Sequence, residues 1–170
     1  MKSHKITIVV FIGFLVWDGV CINYAKAGVL PNPKLTPGLA RQVDKNMLCT
    51  TSTKLVRNVP EALKKRAYVA YGLTGNHTGY CLGQGGCEID HLISLELGGD
   101  NGDLGSDKGT KNLWPQPYFG KCNARQKDVL ENQLHKLICN GTVTMQDAQS
   151  AISTNWVSAY TKYIDPKGCN

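Results

Sequence analysis

Glu88-Ile89-Asp90-His91-Leu92-Ile93-Ser94-Leu95-Glu96-Leu97-Gly98-Gly99-Asp100-Asn101 is the stretch on which the reading of this chain turns. Ile89 and Ile93 are β-branched, and Leu92, Leu95 and Leu97 add apolar bulk, so a short β segment is expected over Glu88 to Leu97. Gly98 to Gly109 reads as a long turn-forming loop, and Leu113-Trp114 as a second extended segment stopped by Pro115 and Pro117. A helix follows. Asn123 is a good N-cap with Gln126 placed to complete a capping box, and Val129, Leu130, Leu134, Leu137 and Ile138 supply an apolar stripe up to Gly141. The centre of the chain is therefore a β-loop-β-α unit.

Outward from that unit the pattern is helical. Asn58, Pro60 and Glu61 start a helix that Gly72 stops, with Leu63, Ala67, Ala70 and Tyr71 on one face. The basic triplet Lys64-Lys65-Arg66 falls elsewhere on it, as a solvated face or a phosphate-contacting one. Gly72 to Gly86 reads as glycine-rich loop. Thr144 with Asp147 caps a last helix carrying Ala148, Ile152, Trp156 and Tyr160 at core spacing.

The chain of 170 residues suits one domain. Lys2, His4 and Lys5, the apolar run Ile6 to Val16 and the small-x-small pattern Ala25-Lys26-Ala27 read as an export signal over residues 1–27. The run is too short for a membrane span, which needs roughly 20 residues. Residues 28–48, rich in proline and glycine at their start, read as an irregular leader, and residues 49–170 as the domain. The expected location is the periplasm or the external medium.

Seven cysteines fall to six once Cys21 is removed with the signal, and an even number in an exported chain argues for disulfides. No Cys-x-x-Cys pair occurs, which argues against zinc on thiolates. Cys81 and Cys87 are nearest in sequence; a bridge between them would brace the strand carrying Asp90. The pairing of Cys49, Cys122, Cys139 and Cys169 stays open. The formal net charge of +6 is compatible with a polyanionic partner without demonstrating one.

The chemistry sits at Asp90-His91. A carboxylate beside an imidazole at a strand end can divide labour: the carboxylate binds a hard divalent cation, and the imidazole takes a proton from water. An asparagine at a helix start, here Asn123, can add a neutral oxygen ligand and leave most metal positions to water and phosphate oxygens, as magnesium prefers. Glu88, on the same side of a strand as Asp90, is a supporting group.

Three blocks, Glu88 to Gly99, Asn112-Leu113-Trp114-Pro115 and Asn123 to Asp128, resemble in order the HNH endonucleases, also called the ββα-metal or His-Me finger group. The similarity is to an exported bacterial set with an E-[IV]-D-H-L-I-x-L-E-L-G-G core followed by N-L-W-P and N-A-x-x-K-D. It covers the chain from about Cys49 to Tyr163 and is densest between Glu88 and Glu131. The resemblance implies a small α+β fold with a ββα-metal core, flanking helices and disulfide staples. It implies an endonuclease hydrolysing phosphodiester bonds, with DNA the expected substrate and RNA the open alternative, and 5′-phosphate and 3′-hydroxyl products; no helix of base-reading character stands out, so little sequence preference is expected. Asp90 would be the first metal ligand, His91 the general base, Asn112 the residue that holds the loop and so orients His91, and Asn123 the second ligand of one divalent ion, magnesium with manganese as the alternative. The family often has His at the third position and Pro where Ser94 stands.

Arg125 and Lys127, within a turn or so of Asn123, and Lys111 are candidates for the phosphate backbone, with Lys108, Lys121 and Arg57 weaker ones. Asn101 is assigned to the turn, His77 to the glycine-rich loop with the rim of the site as the lesser alternative, and His135 to a pairing with Glu131 on the polar face of its helix. Two other classes remain: a non-catalytic exported module that binds nucleic acid on the same fold, and a disulfide-stapled structural protein.

Overall fold

The computed structural model describes residues 28–73, 81 and 85–169; the expected signal at residues 1–27, His77 and most of the Gly72–Gly86 loop lie outside them. Among the described residues the chain is α+β, with helices α1 (Lys45–Thr50), α2 (Thr53–Val56), α3 (Glu61–Ala70), α4 (Ala124–Cys139) and α5 (Met145–Tyr163) and strands β1 (Cys87–His91) and β2 (Leu113–Pro117). None of these helices is long and apolar enough to cross a membrane.

The strands form one antiparallel ribbon in which Asp90 faces Trp114 and His91 faces Leu113. Two expectations change here. β2 runs through its prolines instead of stopping at them. Tyr118 N–H donates to Gly86 and Leu92 N–H to the Asn112 carbonyl at the ribbon's two ends, so the even-numbered residues of β2 carry the ladder. Pro115 and Pro117 fall on the alternate positions, where the nitrogen faces the open edge and no donor is needed. The first strand, conversely, ends at His91, and Leu95–Leu97 form a single 3-10 turn. Strand pairing stops because Asn112's side chain takes both the N–H and the carbonyl of Ile93.

That turn closes on Gly98 in the left-handed region (φ 85°), and Gly99 sits so close to Ile93 that a Cβ would lie 1.8 Å from its carbonyl oxygen. Only glycine fits there. Leu95 and Leu97 are thereby buried, and Leu97 joins Ile93, Leu130, Leu134, Ile138, Ile152 and Trp156 in the main core between α4 and α5. A second cluster, Leu63 and Ala67 of α3 against Leu113 and Ile89, covers the ribbon face on which odd-numbered residues point.

The helices start where local chemistry says they should. Asn123 and Gln126 make both bonds of the capping box at α4, and Thr144 accepts from Asp147 N–H at α5. The α4 stripe keeps Leu130, Leu134 and Ile138 as expected, but Val129 is 50 % exposed, and Ala124, Lys127 and Glu131 are buried with the three. α1 begins at Lys45 inside the expected irregular leader, capped by Asp44. The irregular part ahead of it is fastened down by Thr36 to Tyr71 and the Leu113 carbonyl, and by Trp156 Nε1–H to the Val29 carbonyl. Disulfides join Cys49 to Cys139, Cys81 to Cys87 and Cys122 to Cys169. The first ties α1 to the end of α4, the second ties the loop to β1, and the third holds the chain end beside the start of α4.

Candidate active site

Asp90 and His91 are neighbours at the end of β1, and the pleat sends them to different sides. His91 turns toward α2 and α3, where with Arg57, Val59, Lys64, Tyr68, Cys87, Glu88 and Ile89 it lines a cleft of about 340 Å³. Asp90 turns toward α4, where Lys127 Nζ lies 2.7 Å from its Oδ2.

The His91 ring is only 3 % exposed and its Nε2 is 3.2 Å from Asn101 Oδ1. Asn101's amide is oriented independently, because its Nδ2 donates to the Val56 carbonyl at 2.7 Å. Its oxygen therefore faces the imidazole as an acceptor, Nε2 carries the proton, and Nδ1, with no hydrogen bond among the described residues, is the nitrogen with the lone pair. Burial pushes the His91 pKa down to about 4, against the attraction of Asp90 and with the help of Arg57 and Lys127. The ring is neutral at physiological pH, the state a proton acceptor requires.

Asn112 is fully buried and its amide is saturated. Oδ1 accepts from Ile93 N–H at 2.9 Å and Leu39 N–H at 3.2 Å, and Nδ2 donates to the carbonyls of Ile93 and Asp100, both at 2.9 Å. These bonds pin both ends of the loop that separates His91 from its partner Asn101.

Lys127 corrects the sequence reading. It is 0 % exposed, with its ammonium on Asp90, on the His91 carbonyl 2.7 Å away and on Glu131, so it cannot also lie along a phosphate backbone. Its position in the α4 stripe, one turn from both Asn123 and Glu131, puts it on the core side. Burial alone would pull its pKa down, but the charges of Asp90 and Glu131 more than reverse this and hold it raised. Glu131 is buried too, and that burial raises its pKa against the pull of the Lys127 charge. Glu131 is thus not His135's partner; His135 Nε2 lies 3.3 Å from the Leu48 carbonyl. Arg125, Lys111 and Lys121 are exposed, and Lys108 is held by Asp100 at 2.7 Å.

Asn123 caps α4: its Oδ1 accepts from Arg125 N–H at 3.0 Å and its Nδ2 donates to the Gly120 carbonyl at 2.9 Å. Among the described residues no hydrogen bond links it to Asp90, His91 or Asn112. Glu88 lines the cleft, where burial raises its pKa, opposed by a hydrogen bond from Tyr118 and reinforced by repulsion from Asp90 and Asp128.

Hard divalent ions take oxygen ligands, and among the candidates Asp90 has a carboxylate oxygen to offer. Asp90 is 19 % exposed at its side chain, its Oδ1 takes no hydrogen bond among the described residues, and Glu88 and Asp128 add negative potential nearby. Asn123 Oδ1 accepts from both Arg125 N–H and Gln126 N–H in the α4 cap, so its two lone pairs are engaged there. A different cluster, Cys49, His135 and Cys139, has ligand atoms within 4.8 Å of one another, but both sulfurs belong to one disulfide and offer no thiolate.

Two residues that matter to His91 carry little signal in the sequence. Asn101 was assigned to the turn, and nothing local distinguishes a turn asparagine from one that turns back onto an imidazole. Arg57 enters the cleft because α2 ends at it, and that helix had no periodicity to announce it. No family model, curated protein or solved structure matches this chain.

Proposed function

We propose that the chain is an exported, metal-dependent HNH endonuclease that hydrolyses phosphodiester bonds of DNA, with RNA as a further substrate, and that β1, the pinned loop, β2 and α4 are its ββα-metal core. The observation that carries the reading is the His91 imidazole: buried, neutral, oriented by Asn101, with Nδ1 unbonded among the described residues, and next in sequence to a carboxylate with one oxygen likewise unbonded among them. Asp90 would hold one divalent ion, magnesium or manganese, and Asn123 would join it by giving up a cap bond from Arg125 or Gln126. When bound, such an ion supplies charge neutralisation at the phosphate and at the leaving oxygen.

The residues of the chain do the rest. His91 Nδ1 takes the proton of the attacking water, and Asn101 keeps the opposite nitrogen protonated while the ring gains charge. Arg57 and Lys64, in the same cleft as His91, meet the negative phosphates, and such contacts give affinity without sequence choice. Asn112 keeps the loop, and with it the His91–Asn101 pair, in register.

The test is cleavage of plasmid and linear DNA by the purified, oxidised protein with magnesium, manganese or chelator, beside Asp90→Ala and His91→Ala. Metal-dependent cutting lost in both variants is the expected result. A second reading, a nucleic-acid-binding module without catalysis, draws on Asn123, whose amide is already engaged at both ends in the α4 cap. DNA retained but never cut in any metal would favour it.

A further inference from the structure

Lys127 has three ammonium protons and three protein acceptors: Asp90 Oδ2, the His91 carbonyl and Glu131. No donor is left over, and with no exposed surface the side chain cannot reach a substrate. What it can do is fix Asp90. The ammonium holds one carboxylate oxygen at 2.7 Å and, through the His91 carbonyl, the backbone immediately after it. The other oxygen, Oδ1, is the one without a hydrogen bond among the described residues, and the side chain is open to solvent by 19 %.

A carboxylate held this way offers one oxygen at a time. Magnesium and manganese take single carboxylate oxygens in near-octahedral shells completed by water, whereas calcium favours more oxygens and readily takes both from one carboxylate. We propose that Lys127 is a positioning residue that confines Asp90 to a single ligating oxygen and thereby selects a small octahedral cation against calcium. The inference rests on Asp90 as a metal ligand, and goes beyond it by assigning selectivity to a residue that touches neither metal nor substrate.

The test is cation binding, read without catalysis. Replacing Lys127 alone would leave Asp90 and Glu131 without their common partner, so the variant is Lys127→Met with Glu131→Leu, which removes the cation and the second carboxylate together. Glu131→Gln keeps the ammonium on Asp90 and serves as the matched control. Manganese binding is followed by its electron paramagnetic resonance signal in the purified protein, and calcium by competition, with circular dichroism checking each fold.

The wild type and Glu131→Gln should prefer manganese to calcium by at least about tenfold, and the double variant should lose about tenfold of that preference, the scale of outer-sphere effects at metal sites. A wild type that binds calcium as tightly as manganese overturns the proposal whether or not the double variant folds. An unchanged ratio in a folded double variant, with manganese still bound, overturns it alone. No manganese bound by the wild type overturns the metal-site reading of Asp90 together with it.

Discussion

Asn112→Ala removes a side chain that is 0 % exposed and makes four hydrogen bonds, two accepted from Ile93 and Leu39 and two donated to Ile93 and Asp100. Each such bond contributes a net of about 1 kcal/mol, so the set is worth about 4 kcal/mol. Water entering the vacated space would lower that figure, and backbone groups left unpaired would raise it by about 1–3 kcal/mol each. Asn123→Ala, which removes a helix cap, should cost only about 1 kcal/mol. Set against a total stability of about 5–15 kcal/mol for a domain, the first change is severe and the second mild. Urea unfolding followed by tryptophan fluorescence suits the comparison, since Trp114 and Trp156 are both 0 % exposed. Amide exchange adds the location: Ile93 and Leu39 should lose protection while the α4–α5 core keeps it. An Asn112→Ala loss below about 1.5 kcal/mol, or one no larger than that of Asn123→Ala, would falsify the view that this amide is what holds the loop.

Other outcomes can be read separately. His91 has a folded pKa lowered by burial to about 4, so the unfolded chain binds the extra proton first as pH falls. Stability should be complete above about pH 6.5, where the unfolded imidazole titrates, and should drop by about 3 kcal/mol as pH falls through about 4. Urea midpoints in chelator, with His91→Gln showing a flatter profile over that window, would check it. Breaking Cys49–Cys139, which spans 90 residues, should cost about 4–5 kcal/mol, against about 2 kcal/mol for Cys81–Cys87, which spans 6; thermal unfolding of the paired Cys→Ser variants orders them. If nucleic acid binds at this face, Arg57→Ala and Arg125→Ala should each reduce the slope of log affinity against log salt by about 1. Substituting the buried Lys127 should leave that slope unchanged.

What could be read from the sequence was what neighbours in sequence decide. The caps at Asn123 and Thr144 and the start of α3 near Glu61 rest on hydrogen bonds and backbone preferences a few residues long, and the structure has them there. The end of β1 was different. Nothing between Leu92 and Leu97 breaks a strand; the strand stops because an amide from Asn112 occupies Ile93's backbone, and that contact exists only after the loop has folded back. Cys81 and Cys87 were close enough in sequence to suggest their bridge, whereas the long-range partners of Cys49 and Cys122 depend on how α1 and the chain end pack on α4.

Lys127 is the instructive residue, because its burial was within reach. Ala124, Lys127, Glu131, Leu134 and Ile138 follow one another at steps of three and four, the spacing of a single helix face, with Leu130 beside Glu131 on it. Apolar content places Leu130, Leu134 and Ile138 correctly but adds Val129 and Leu137, and it leaves Lys127 to a phosphate backbone and Glu131 to His135. Charged side chains are almost never fully buried unless paired, and a lysine and a glutamate one turn apart can pair. Yet that local pair does not account for the burial. An isolated Lys–Glu pair gains little from leaving water, and the desolvation of two ions can exceed their attraction. What makes the position tenable is the third charge, Asp90, together with the His91 carbonyl, both delivered by β1 from a distant part of the chain. The helix could announce a polar pair on its inner face; only the strand that carries Asp90 explains why the pair lies there.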